Sequence, residues 1–226
     1  MIIFVDYEHE SARSEKWAQR NLAARTWITY RLEDLSGQHC MLVRYDKITP
    51  ELIKRLDARA IFISGNGSAP DQYKSDALAP LQDIVRTSGL PTFGFCGGFQ
   101  FFSTALGATV VPLDADPDEV DAPGFGRFPS GAPAELGYFG VEMTAPHAIL
   151  DGLSELPVFR HAHALHVPEP PAGFDVLGST AVTPVQIAVD NERRMVGTQF
   201  HPEYWTDEHP AGKTLIANFM RWAEIT

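Results

Sequence analysis

The segment Phe93-Gly94-Phe95-Cys96-Gly97-Gly98-Phe99-Gln100 constrains this chain more than any other. Thr92–Phe95 reads as a short buried strand, and residues 97–106 read as a helix, with no spacer between them. A strand that turns into a helix within one residue strains that residue and lifts its side chain at the carboxyl edge of a sheet. The two backbones crowd each other at the positions two before and two after the turn, so those positions take only small residues. Gly94 and Gly98 occupy them, and Cys96 stands at the corner. This is the logic of a nucleophile elbow, with a thiol in place of a hydroxyl. The thiol also lies at the positive end of the following helix, which favours a reactive thiolate. On the elbow alone, an inert buried cysteine in a glycine-rich strand end is an equally good reading.

The flanking pattern supplies the sheet that an elbow needs. Strands are expected at 2–5, 41–44 and 60–63. Between them, Ser11-Ala-Arg-Ser-Glu15 offers cap chemistry for a helix carrying Trp17, Leu22, Ile28 and Leu32, and Thr49-Pro50 opens a helix over 50–57. Residues 75–88 form a third helical pattern, with Leu78, Leu81, Ile84 and Val85 on one face. This alternation marks an α/β fold, a parallel sheet with helices on both faces. Residues 112–134, rich in Pro, Gly and Asp, are expected to be a long loop. Strands at 138–143, 157–160, 174–178, 184–189 and 194–200 then follow without long helices, so the second half is expected to be more antiparallel. A last helix runs from His209-Pro210 to about Ala223. No linker or repeat interrupts the pattern, and residues 1–226 are read as one domain.

Composition excludes more than it identifies. The net charge of −11, with only 18 Lys and Arg, argues against a nucleic-acid partner. No run approaches the roughly 18 apolar residues of a membrane helix, and the N-terminal apolar run is too short for a signal peptide. Cys40 and Cys96 stand in unlike contexts, which fits free thiols in a reducing cytoplasm.

A thiolate that attacks an amide needs a proton carrier for the departing nitrogen. The segment Val196-Gly-Thr-Gln-Phe-His201-Pro-Glu203 offers one. An apolar strand ends at His201, Pro202 stops regular pairing, and Glu203 is close enough to accept a hydrogen bond from the imidazole and fix its tautomer. With these residues the sequence resembles the class I (triad) glutamine amidotransferase domains. Gly94, Cys96, Gly98 and Gln100 match that family's Gly-x-Cys-x-Gly-x-Gln elbow, and Gln199 to Glu203 match its Gln-Phe-His-Pro-Glu motif in full. The likeness extends more loosely from the first strand to the last helix.

The resemblance implies a three-layer, flavodoxin-like, mostly parallel mixed sheet, and a Cys96–His201–Glu203 triad that hydrolyses glutamine through a γ-glutamyl thioester. It implies an oxyanion held by backbone N–H groups of Gly97 and of the loop containing Gly65 and Asn66. Gln100 and the backbone of His163, Ala164 and Leu165 would position the substrate. No cofactor is implied, and the expected partner is a synthetase that receives ammonia, since the chain has no nucleotide-binding Gly-x-x-x-x-Gly-Lys loop. Two departures stand out: Asn66 lies in a loop where the family carries Ser-Gly-Gly-Pro or Ser-Pro-Gly-Pro, and Ala164 replaces the serine of a His-Ser pair.

His161, His163 and His166 invite a metal reading. With no carboxylate or cysteine at ligand spacing, no metal is expected. The acidic run 114–119 lacks the glycine of a calcium loop. Two further functions share these residues: a stand-alone hydrolase of γ-glutamyl amides or peptides, and a catalytically silent regulatory subunit.

Overall fold

The computed structural model describes residues 1–13 and 18–226. Strand β1 (Ile2–Asp6) is buried along its whole length. Glu10–Arg13 forms a single 3-10 turn; the cap expected across residues 11–15 and the core role of Trp17 fall at least partly outside the described residues. Helix α1 (Ala18–Ser36) buries a stripe of Arg25, Ile28, Thr29, Leu32 and Ser36. Leu22, expected beside Ile28 and Leu32, is 50% exposed, and the buried stripe begins one turn later with Arg25, which pairs with Asp6.

Strand β2 (Cys40–Arg44), helix α2 (Pro50–Arg55), strand β3 (Ala60–Ile63), helix α3 (Ser75–Thr87), strand β4 (Thr92–Phe95) and helix α4 (Gly97–Ala105) follow as the pattern predicts. The Thr49 hydroxyl accepts the Leu52 N–H, and Pro50 takes the first helical position where a missing donor costs nothing.

In the second half come β5 (Val111–Pro112), β6 (Phe125–Arg127), β7 (Pro133–Gly140), β8 (Glu142–Met143) and β9 (Val158–His163). After them lie β10 (Leu165–His166), β11 (Asp175–Ser179), β12 (Ile187–Asp190), β13 (Met195–Thr198) and helix α5 (Ala211–Trp222). The stretch expected to be a plain loop, 112–134, therefore contains β6 and the start of β7, paired antiparallel with Phe125 opposite Glu135. Three residues of strand among glycines and prolines carry too little alternation to be read from sequence.

The main sheet has the order β2-β1-β3-β4-β13-β12-β11-β8. Its pairs are parallel from β2 to β13 and antiparallel from β13 to β8. One face packs Ile28 and Leu32 of α1 and Phe219 of α5 against Phe4, Phe62 and Phe93. The other packs Ile53 of α2, Leu81 of α3 and Phe102 of α4 against Ile3, Val5 and Ile63. The result is the expected three-layer mixed sheet with helices on both faces. A smaller antiparallel sheet, β6-β7-β9, carries the histidine-rich segment. Strand β4 lies between β3 and β13, where the direction of the winding reverses, and open α/β sheets place ligands at such a point.

Backbone proximity fixes that centre. A Cβ on Gly94 would lie 2.6 Å from the Phe99 nitrogen, and one on Gly98 would lie 2.3 Å from the Ile63 carbonyl oxygen. Both obstacles are backbone and cannot turn aside. Gly98→Ala should therefore cost roughly 2–3 kcal/mol or more of folding stability. Urea unfolding checks this, and an unchanged midpoint would show that α4 is free to slide away from β3.

Candidate active site

Cys96 is at the corner between β4 and α4 with φ 47° and ψ −105°, a conformation that side-chain-bearing residues avoid. Its N–H donates to the Thr198 carbonyl at 2.7 Å, tying the corner to the end of β13. Two residues beyond β13 the chain reaches Phe200, and then His201, whose N–H donates to the Arg160 carbonyl at 2.8 Å. Because β4 and β13 run parallel, their carboxyl ends bring Cys96 and His201 to one edge. Gly65 lies between them: a Cβ there would sit 2.6 Å from His201 Cε1 and 3.5 Å from Cys96 Cβ.

Pro202–Tyr204 forms a 3-10 turn that folds Glu203 back under the ring. His201 Nδ1 lies 2.8 Å from Glu203 Oε1, with the carboxylate side chain only 1% exposed. Burial by itself opposes charge on this imidazole. The Glu203 carboxylate and the adjoining Cys96 sulfur outweigh it and push His201 up to about 10. With Nδ1 committed to Glu203, Nε2 is the ring nitrogen left for the sulfur and for substrate. The turn is also gripped from outside, because Arg31 Nη1 donates to the carbonyls of Glu203 at 2.9 Å and Trp205 at 3.0 Å. Its guanidinium is sandwiched between the rings of Trp27 and Trp205. Gln199, fully buried, points its amide nitrogen at Cys96 Sγ across 3.7 Å.

The loop after β3 is held from three directions. Arg25, paired with Asp6, donates to the Gly65 carbonyl at 2.7 Å. Glu8 accepts from the Gly67 N–H at 2.8 Å and from the Ser68 hydroxyl. Asn66 Nδ2 donates to the Ser68 carbonyl and the Tyr73 hydroxyl, both at 2.9 Å. This pins Asn66 against the elbow, where a Cβ on Gly97 would meet Asn66 Oδ1 at 1.8 Å and its backbone nitrogen at 3.0 Å. The N–H groups of Asn66 and Gly97 find no acceptor among the described residues. Two free backbone donors beside a thiol form the kind of pair that receives a developing oxyanion.

Cys96 opens into a cavity of about 680 Å³ bordered by Gln100, His163, Ala164, Leu165, Phe128 and Ala132, among others. The β6–β7 turn thus forms one wall, a role that no feature of the 112–134 sequence signals. Gln100 Nε2 donates to the Leu165 carbonyl at 2.9 Å, which joins α4 to the opposite wall and leaves Gln100 Oε1 as the available acceptor.

The His163 ring is turned away from this space. Its Nδ1 faces the Leu165 carbonyl at 3.2 Å and its Nε2 lies 2.9 Å from Glu135 Oε2. Glu135 is almost wholly buried and also accepts from Thr180, Thr183 and Gln186 at 2.6–2.7 Å. Burial opposes its charge, but His163 and the two hydroxyls overcome this and hold the carboxyl down at about 2. Sequence spacing offered the histidines no carboxylate, yet β7 brings one to them: ligand atoms of Glu135, His161 and His163 lie within 4.8 Å of one another. His166 is not in this group. The Glu135 oxygens are already engaged by these donors. The His161 ring stacks on Phe139 at 3.7 Å, and burial, with His163 beside it, lowers it to about 3. Glu135 and His163 as they stand form a hydrogen-bonded brace behind the cavity wall, with the His161 ring packed beside them.

Comparison with known proteins gives a consistent picture. A family model described as glutamine amidotransferase class-I matches residues 23–222. A GMP synthase [glutamine-hydrolyzing] of Alcanivorax borkumensis is 28% identical over 202 residues, covering 86% of this chain and 34% of that protein. Another from Sinorhizobium fredii is 30% identical over 189 residues, covering 82% and 32%. The chain therefore spans about a third of the length of the curated relatives it matches. Among solved structures, the glutaminase domain of CTPS from Trypanosoma brucei with bound acivicin superposes with a TM-score of 0.67 at 19% identity, over 99% of this chain and 94% of that one. A glutamine amidotransferase from Thermotoga maritima gives 0.66 at 12% identity, over 99% and 98%. These two show the fold. The family model, spanning most of the sequence and both motifs, shows the lineage: this chain belongs to the class-I glutamine amidotransferase family.

Proposed function

We propose that this chain hydrolyses the side-chain amide of glutamine through a γ-glutamyl thioester on Cys96 and delivers the ammonia to a synthetase. The observation that carries the reading is the His201 ring, fixed by a buried carboxylate at Nδ1 and set beside a cysteine at a strained elbow. In this scheme Sγ attacks the amide carbon, and the oxyanion gathers the N–H groups of Gly97 and Asn66. The imidazolium gives its proton to the departing nitrogen. It then takes one from the water that opens the thioester, so the same ring serves both halves. Glu203 stabilises the charged ring and keeps Nε2 directed at the reaction.

Gln100 Oε1 and the backbone of residues 163–165 serve the glutamate half. The missing hydroxyl at Ala164 is no obstacle to such contacts, which use main-chain groups. Relatives named as glutamine-hydrolysing GMP synthases extend well beyond the region they share with this chain, which supports a synthetase as the ammonia acceptor. No described helix is long and apolar enough to cross a membrane.

Cys96→Ser should abolish glutamine hydrolysis, by about 10³-fold or more, with the fold retained. Ammonia release and circular dichroism measured together check this, and unchanged turnover would sink the mechanism. Glu203→Gln should slow hydrolysis by about 10²–10⁴-fold. The same variant shows whether the carboxylate holds the proton on the ring. His201 is raised, so its proton is held through neutral pH and lost as pH climbs toward 10. Removing the Glu203 carboxylate lowers it, and the alkaline limb of the pH–rate profile should move to lower pH. By the same linkage, the pair's contribution to stability is complete below about pH 6.5 and fades as pH rises toward 10 in the native chain. An alkaline limb that stays in place in Glu203→Gln would show that the carboxylate does not control the ring.

A further inference from the structure

Cys96 and His201 stand at the junction of two adjoining cavities. Beyond the loop of Asn66, Gly67 and Ser68 lies a second cavity of about 560 Å³, bordered by His201, Arg160, Tyr138 and Tyr204. Of these two cavities, Cys96 borders the first and His201 the second. Strand β9 serves both, with Ala162 on the first and Arg160, two residues away on the same strand face, on the second. Amide cleavage assigns a chemical half to each. The acyl carbon bonds to Sγ and belongs to the Cys96 side. The nitrogen takes its proton from His201 and belongs to the other.

Ammonia needs about as much room as a water molecule, roughly 30 Å³. The amine-side cavity is many times larger, and its charges are unevenly committed. Arg25 is engaged by Asp6 and the Gly65 carbonyl, and Glu8 by the Gly67 N–H and Ser68 hydroxyl. Arg20 also borders the space and is engaged elsewhere. Arg160 has no ion-pair partner among the described residues; its guanidinium lies 5.6 Å over the Tyr204 ring, itself beside the His201 ring. A half-buried, unpaired guanidinium facing the same cavity as the proton donor is suited to an anion carried by the leaving group.

We propose that this site also cleaves γ-glutamyl amides whose amine half carries a carboxylate, that is γ-glutamyl-amino acids, with Arg160 holding that carboxylate. The proposal rests on the Cys96–His201 chemistry above and extends it to a second class of substrate. Sγ forms a bond to the γ-carbonyl carbon, the C–N bond breaks, and the His201 proton goes to the amino acid nitrogen. Water then gives a proton to His201 and its oxygen to the acyl carbon, releasing glutamate and restoring the thiolate.

The test uses the full chain with L-γ-glutamylglycine, its uncharged analogue L-γ-glutamylglycinamide, and glutamine, following the released amine or ammonia and glutamate. The expected result is a kcat/KM for the glycine conjugate at least about tenfold above that for the glycinamide. Arg160→Gln should bring that ratio to about one, and Arg160→Lys should retain part of the preference. Equal cleavage of both conjugates by the native chain, or a preference that survives in Arg160→Gln, overturns the proposal. Hydrolysis of glutamine with neither conjugate cleaved overturns the proposal alone. No turnover of any of the three, with no glutamyl adduct on Cys96, overturns the shared thioester chemistry as well.

Discussion

The left-handed backbone at Cys96 is the constraint on which the other parts of this molecule depend. A non-glycine residue in such a conformation costs on the order of 1–3 kcal/mol and persists only when its surroundings leave no alternative. Here the surroundings are main chain on every side. Gly98 lies against the Ile63 carbonyl of β3, Gly94 lies against the first turn of α4, and the Cys96 N–H is bonded to the end of β13. The packed phenylalanines of both faces hold these three strands in register. Strain at one residue is thus sustained by the whole sheet.

Around that point the fixed groups are polar, and each is oriented by another. Asp6 and Arg25 hold Gly65, Glu8 holds Gly67 and Ser68, and Glu203 holds His201. Glu135 holds His163, which faces the same Leu165 carbonyl that Gln100 reaches from α4. Buried carboxylates supply most of these anchors. An ionised carboxyl is costly to bury unless its oxygens are met by donors, and Glu135, with four around it, shows how that cost is offset. The pattern suits a site in which a small displacement of the ring or of the backbone donors would remove alignment.

Much of this is legible in the residues themselves. The elbow and the His-Pro-Glu turn depend on local rules, glycine at crowded positions and proline at a strand end, and local rules can be read from a single stretch of chain. The first four strands and their helices are legible for the same reason, through apolar runs and caps such as Thr49-Pro50. What is not legible depends on contacts between distant segments. Glu135 lies in an unremarkable stretch and acquires its place only because β7 pairs with β9. The β6–β7 turn becomes a cavity wall by tertiary placement, its Pro and Gly content suggesting only a loop. Spacing groups Leu22 with the core, yet the inward stripe begins at Arg25, whose buried ion pair with Asp6 is invisible to a hydrophobic pattern. Arg160 likewise gives no signal, since a lone arginine on a strand carries none.

The conformation at residue 96 has one more consequence. Glycine would occupy it without steric strain, at a cost in chain entropy of about 0.5–1 kcal/mol, so the backbone by itself favours a residue that lacks the thiol. Its stability and its reactivity draw on the same backbone angles in opposite directions. Glycine in its place would relax the corner and remove the thiol on which the proposed reaction depends. The sulfur between β4 and α4 is therefore a standing load on the architecture, carried for the chemistry proposed for it.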